Sequence, residues 1–246
     1  MPSRPTVLSG NILEMDQGNL NATPDNISTS RAEGQYSWLT EPIAAELVTL
    51  RKSRFFDWIN NLDRPQTFAC AARQTFFNSV NMPRALGLML SQTTPNRGEL
   101  FRVFAAQALE EADHHTFLFE WMTLHDIVQS RAELDETLIT PETRNYLDFQ
   151  YGLALERDYD GWLVGVNSVF EACSLQFFTA VAPKMRELGA GHNCFDVDVE
   201  ADEMHSTMGL KYLSPDAHSK NGRRRLHALS LSATKTWSNM IHSWLP

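Results

Sequence analysis

The stretch ALEEADHHTFLFEWM, Ala108–Met122, decides how this chain folds. A helix turns by about 100° per residue, so positions i, i+3, i+4 and i+7 share a face. On that spacing Glu111, His114 and His115 join Phe104, Ala108, Leu118 and Met122. Gln107 is the only other polar member of the stripe, and it is uncharged. A carboxylate on an apolar stripe is costly unless it is paired or holds a metal ion. Glu110 lies one step round and is expected to face water.

Downstream, VGVNSVFEACSLQFF (Val164–Phe178) repeats the anomaly: from Gly161 to Val181 the only charged residue is Glu171. A third instance is CFDVDVEADEMH, Cys194–His205, where Asp198, Asp202 and His205 fall at i, i+4 and i+7. Asp196, Glu200 and Glu203 point elsewhere and suit a helix N-terminus, where the dipole favours negative charge. Glu111-x-x-His114 and Asp202-x-x-His205 are thus two acid-x-x-histidine pairs on different helices. With lone carboxylates from further helices, this is the dinuclear iron or manganese arrangement of helical bundles. Carboxylates are hard donors that bridge ions and balance their charge, and imidazoles fill places without adding charge. The early helices supply no mid-bundle glutamate, since PQTFACAARQTFFNSVNMPRALGLMLSQTT (Pro65–Thr94) contains no acid. The candidate ligands are therefore Glu111, His114, Glu171, Asp198, Asp202 and His205. The bland alternative is a buried hydrogen-bond network, and for Asp198 a capping acid.

Around these stretches the pattern is helical throughout. Residues 1–36, rich in Asn, Ser, Thr, Gly and Pro, read as a loose arm. Helices are expected over about 41–61, 65–92 with a kink at Pro83, and 97–128. Thr140 caps a fourth, with Pro141 at its first position. Asp158 or Asp160 opens a fifth that stops at Gly189, Asp196 opens a sixth, and the last spans about 221–244. Seven helices with short loops predict one all-α bundle domain over residues 37–246.

Composition narrows the function classes. A net charge of -9 and a pI near 5.3 leave no concentrated basic surface for nucleic acid. No stretch reads as a membrane span or signal peptide, so the expected location is the cytoplasm. Cys70, Cys173 and Cys194 lack motif spacing and read as reduced, buried thiols.

ALEEADHHTFLFEWM, VFEACSLQFF and FDVDVEADEMHSTMG, together with the earlier FFDWINNLDRPQTFACAARQTFFNSVNMPRAL, resemble the haem-oxygenase-like diiron oxidases and oxygenases. The resemblance runs from about Leu50 to Leu213. That family places a glutamate and a histidine on one helix, a glutamate on the next core helix, and His-x3-Asp-x2-His on another. The pattern falls on Glu111 with His114, on Glu171, and on Asp198-x3-Asp202-x2-His205, so the chain departs from it at Asp198. His115 is the alternative source of the missing imidazole. The resemblance implies two iron ions per chain, cycling between Fe(II) and Fe(III), with O2 as co-substrate. It also implies a homodimer and a small amino-acid- or amine-derived substrate, oxidised by N-oxygenation or by C–C or C–N cleavage in specialised-metabolite biosynthesis. Two other classes stay open: a non-catalytic metal-binding bundle, and a metal-free hydrolase like the thiamin-degrading proteins of similar fold, which needs a cysteine facing the pocket. Arg73 and Arg84 are candidates to hold a substrate carboxylate.

Overall fold

The computed structural model describes residues 29–94, 97–196, 205–206 and 209–246, with side chains from residue 35 onward. Every regular element among them is helical. Residues Ser37–Pro246 form one compact unit.

The first expected helix is two. α1 spans Thr29–Arg51, so it begins well before position 41, and α2 spans Arg54–Asn60. A 3-10 turn at Pro65–Phe68 leads into α3, Ala69–Gln92. Pro83 sits inside α3 without ending it; having no N–H, it offers no bond to the Ser79 carbonyl. The 97–128 segment is broken where its chemistry lies. α4 (Gly98–Glu110) gives way to a 3-10 turn at Glu111–Asp113, and α5 (His114–Leu124) follows. α6 (Pro141–Glu156) starts as its sequence dictates: the Thr140 hydroxyl accepts the Thr143 N–H, with Pro141 at the first position. Asp158 caps α7 (Tyr159–Trp162) by accepting the Gly161 N–H at 2.9 Å.

From α7 the chain runs through a nine-residue π-helix, Leu163–Glu171, into α8, Ala172–Glu187. Among the described residues the Tyr159–Glu187 path is, by length and composition alone, apolar enough to cross a membrane, where the sequence predicts no such stretch. It is nonetheless 67% buried in its apolar window, as a core helix is. Residues 194–196 and 205–206 are helical, and α9 is Lys220–His242. The basic run Arg223–Arg225 lies on the first turns of α9, with Arg225 paired to Asp158.

α3 lies against α4, α5 and α6, while α9 covers α6 and the π segment. Gly165 lets α6 come close: a Cβ there would stand 3.0 Å from the Phe149 ring. An aromatic cluster of Phe55, Trp58, Phe68, Phe177 and Trp244 fixes α2 against α8, with ring centroids 5.4–6.1 Å apart. A second cluster joins Tyr146, Phe149, Phe170 and Trp237 beside the π segment. All three cysteines are free; Cys173 and Cys194 are buried, whereas Cys70 is exposed against expectation.

Candidate metal centre

Three elements converge on one buried spot. The 3-10 turn after α4 brings Glu111, the end of the π-helix brings Glu171, and the segment before Gly209 brings His205. One donor atom from each lies within 4.8 Å of the others, the sole such group among the described residues. All three side chains are nearly or fully buried. His205 Nδ1 stands 3.5 Å from Glu111 Oε1 and 3.9 Å from Glu171 Oε2. It makes no hydrogen bond to any described group. His114 is buried beside them, its Nδ1 3.1 Å from Glu111 Oε2.

The remaining oxygens and nitrogens have partners that fix their direction. Gln107 donates from Nε2 to Glu171 Oε1 at 2.7 Å and accepts at Oε1 from Asn167 Nδ2 at 3.0 Å. Gln107 and Asn167 are completely buried, so this relay holds Glu171 with its other oxygen toward His205. On the far side of the imidazole, His205 Nε2 donates to Glu110 Oε2 at 2.7 Å. Burial opposes charge on His205, but Glu171, Glu110 and Glu111 outweigh it and push its pKa up to about 9.

The arrangement fits a divalent ion. Two donors each roughly 2.1 Å from a first-row metal stand about 3–4.2 Å apart. The separations of 3.5 and 3.9 Å fall within that window. Two carboxylates and an imidazole nitrogen that gives up its proton on binding are the donor set expected for iron or manganese.

The structure thus brings Glu111, His114, Glu171 and His205 together, while Asp198 and Asp202 lie outside the described residues. His115 is not in the group. Its ring packs edge-on against Phe76 at 6.1 Å, and burial, then the nearby Arg131, hold its pKa below the usual value. Arg73 donates to the Ile127 carbonyl at 2.7 Å and Arg84 is exposed near Glu136, so neither supplies the expected carboxylate clamp.

Three residues were not assigned a role from the sequence. Gln107 and Asn167 carried a signal, each lying four positions before a candidate ligand on its own face. Glu110 carried none: α-helical phase points it toward water, and it is the last residue of α4. Its side chain is still 42% exposed, with one oxygen turned inward to His205.

A cavity of about 30 Å³ opens onto Glu111 and Glu171. α3 supplies Thr75, Asn78, Ser79 and Met82 to its wall; Tyr146, Phe170, Ser174 and Phe178 complete it. The Thr75 and Ser79 hydroxyls donate to the carbonyls of Ala71 and Thr75, so toward the cavity they only accept. Asn78 Oδ1 is buried without a donor.

The model of a family described as an iron-containing redox enzyme matches residues 71–234, most of the chain. No curated protein matches. Among solved structures, a TenA homolog from Pseudomonas syringae pv. tomato str. DC3000 is similar with a TM-score of 0.65 at 11% identity, covering 88% of this chain and 91% of its own. At that identity the likeness speaks to the fold alone, which is the all-α haem-oxygenase-like bundle.

Proposed function

The chain belongs to the family of iron-containing redox enzymes, and we propose that it is a non-haem diiron enzyme that uses O2 to oxidise a small amino-acid- or amine-derived substrate. The observation that carries this reading is the Nδ1 of His205, buried between two carboxylates at 3.5 and 3.9 Å. Iron, when bound, supplies the one-electron chemistry with O2 that no side chain provides. Glu111, Glu171, His114 and His205 are the described ligands, and Asp198 and Asp202 are assigned to complete the set for two ions. The Gln107–Asn167 relay keeps Glu171 aimed inward, and burial of Glu111, Glu171 and His205 keeps bulk water from them.

The cavity supports an amine-type substrate. The Thr75 and Ser79 hydroxyls and Asn78 Oδ1 offer acceptors there, and no described basic side chain lines it. A substrate N–H or ammonium finds acceptors there, whereas a free carboxylate finds no basic partner. At about 30 Å³ the space takes O2 or a couple of waters, so the organic molecule enters only as the walls part. N-oxygenation, or cleavage of a C–C or C–N bond beside the nitrogen, is the reaction we assign to such a substrate, and specialised-metabolite biosynthesis is the setting we assign it.

A metal-free hydrolase is the weaker reading. None of the three cysteines lines the cavity, and burial pushes the Cys173 thiol up, away from the thiolate a nucleophile needs. The decisive test is anaerobic Fe(II) loading followed by mixing with O2. Two irons per chain and a transient visible band are expected. Glu171→Ala is expected to stay folded and lose both, and Asp198→Ala to lose one iron. A wild-type protein that takes up no iron would sink the proposal.

A further inference from the structure

We propose that Glu110 is a positioning residue for the metal centre: its carboxylate holds His205 in the tautomer that leaves Nδ1 free to bind the ion. This rests on the diiron reading above. The contact is short, 2.7 Å from His205 Nε2 to Glu110 Oε2. An ionised carboxylate has no proton to give, so the ring nitrogen facing it carries the hydrogen. In a neutral imidazole the lone pair then resides on the other nitrogen. That nitrogen is the one standing 3.5 Å from Glu111 Oε1 and 3.9 Å from Glu171 Oε2.

Exposure separates the roles. His205 is fully buried and Glu110 is 42% exposed, so Glu110 reaches in from the bundle surface to grip the rear of the ring. A carboxylate behind a metal-bound imidazole fixes ring orientation and raises the basicity of the ligating nitrogen; removing such a partner weakens binding about 10–100-fold. Glu110 and Glu111 are adjacent, yet they act on opposite edges of one ring, Glu110 Oε2 meeting Nε2 at 2.7 Å and Glu111 Oε1 facing Nδ1 at 3.5 Å.

The test is anaerobic Fe(II) titration of the apo full-length chain as wild type, Glu110→Ala and Glu110→Gln. It is paired with imidazole 15N NMR of the same proteins loaded with Zn(II). Glu110→Ala is expected to bind iron about 10–100-fold more weakly at unchanged stoichiometry. Glu110→Gln keeps a carbonyl acceptor, and so is expected to recover part of the affinity and to show His205 with its proton on Nε2 and metal on Nδ1. If Glu110→Ala equals wild type in affinity and tautomer, the positioning role is overturned while the metal centre stands. If Ala and Gln variants both lose one iron outright, Glu110 is a ligand, and the proposal is again overturned. Wild type binding neither metal removes the diiron reading and this role together.

Discussion

The helical path Tyr159–Glu187 serves two buried clusters of opposite character. Phe177 stacks on Phe55 and Phe68 at 6.0 Å each and meets Trp244 edge-on at 5.9 Å, a contact set that asks for nothing further. A short way back along the same path, Glu171 is just as buried but surrounded by polar groups, and the neighbouring His205 Nδ1 is left without a hydrogen bond. Apolar burial is complete once the rings touch. Burial of carboxylates is tolerable only with donors, and here the donors stop one short. One cluster therefore stabilises the bundle whatever is bound, whereas the other could hold a metal ion.

Changes in the two clusters should accordingly separate stability from metal binding. Phe177→Ala is expected to cost about 3–5 kcal/mol in denaturant unfolding while each folded chain binds iron as before. A loss of iron stoichiometry in the folded fraction would show the clusters to be coupled.

The next effect is on pH. His205 has its folded pKa raised to about 9 from an ordinary 6.5, so its contribution to apo stability is full below 6.5 and vanishes as pH rises through 9. The span is on the order of 3 kcal/mol, to be read from apo-protein unfolding across that range. Fe(II) affinity should run the other way, rising about tenfold per pH unit toward 9, because the metal must displace the Nδ1 proton. Parallel trends in the two measurements would contradict this.

Gln107→Leu strips Glu171 of its donor and Asn167 of its acceptor. We expect a loss of about 1–3 kcal/mol in the apo protein and weaker iron binding; unaltered iron affinity would make the relay purely structural. The smallest effect is expected at His115. His115→Ala should cost about 1 kcal/mol or less and leave iron stoichiometry intact. A lost iron there would make His115 the ligand in place of Asp198.

The sequence made the acids legible because charge in an apolar run is anomalous under any helix geometry. Glu111 and Glu171 became candidates on that ground, and His114 and His205 through the acid-x-x-histidine spacing; the structure brings the four together. The bundle followed from periodicity, and the Thr140 and Asp158 starts from capping chemistry. What stayed hidden depended on tertiary contacts. Glu110, 42% exposed, turns one oxygen back to His205, and His115, past the 3-10 turn at Glu111–Asp113, packs against Phe76. Arg73 looked like a lone cation in an acid-free helix, yet it is spent on the Ile127 carbonyl, a backbone partner that no residue pattern announces.

The π-helix at Leu163–Glu171 makes the tally of residues in this stretch a functional quantity in its own right. Wherever a helix absorbs a surplus residue in a widened turn, everything after it is rotated by about 100° from the face it would otherwise present. Glu171 closes that widened stretch, and Phe177 follows it. Removing one residue between 163 and 170 would leave composition and helicity almost untouched, yet swing the preceding turns out of step with Glu171. Asn167 would then lose Gln107, or Gly165 would lose the Phe149 ring. The stretch thus keeps time between two halves of a long helix, and a shift of a single beat would separate them.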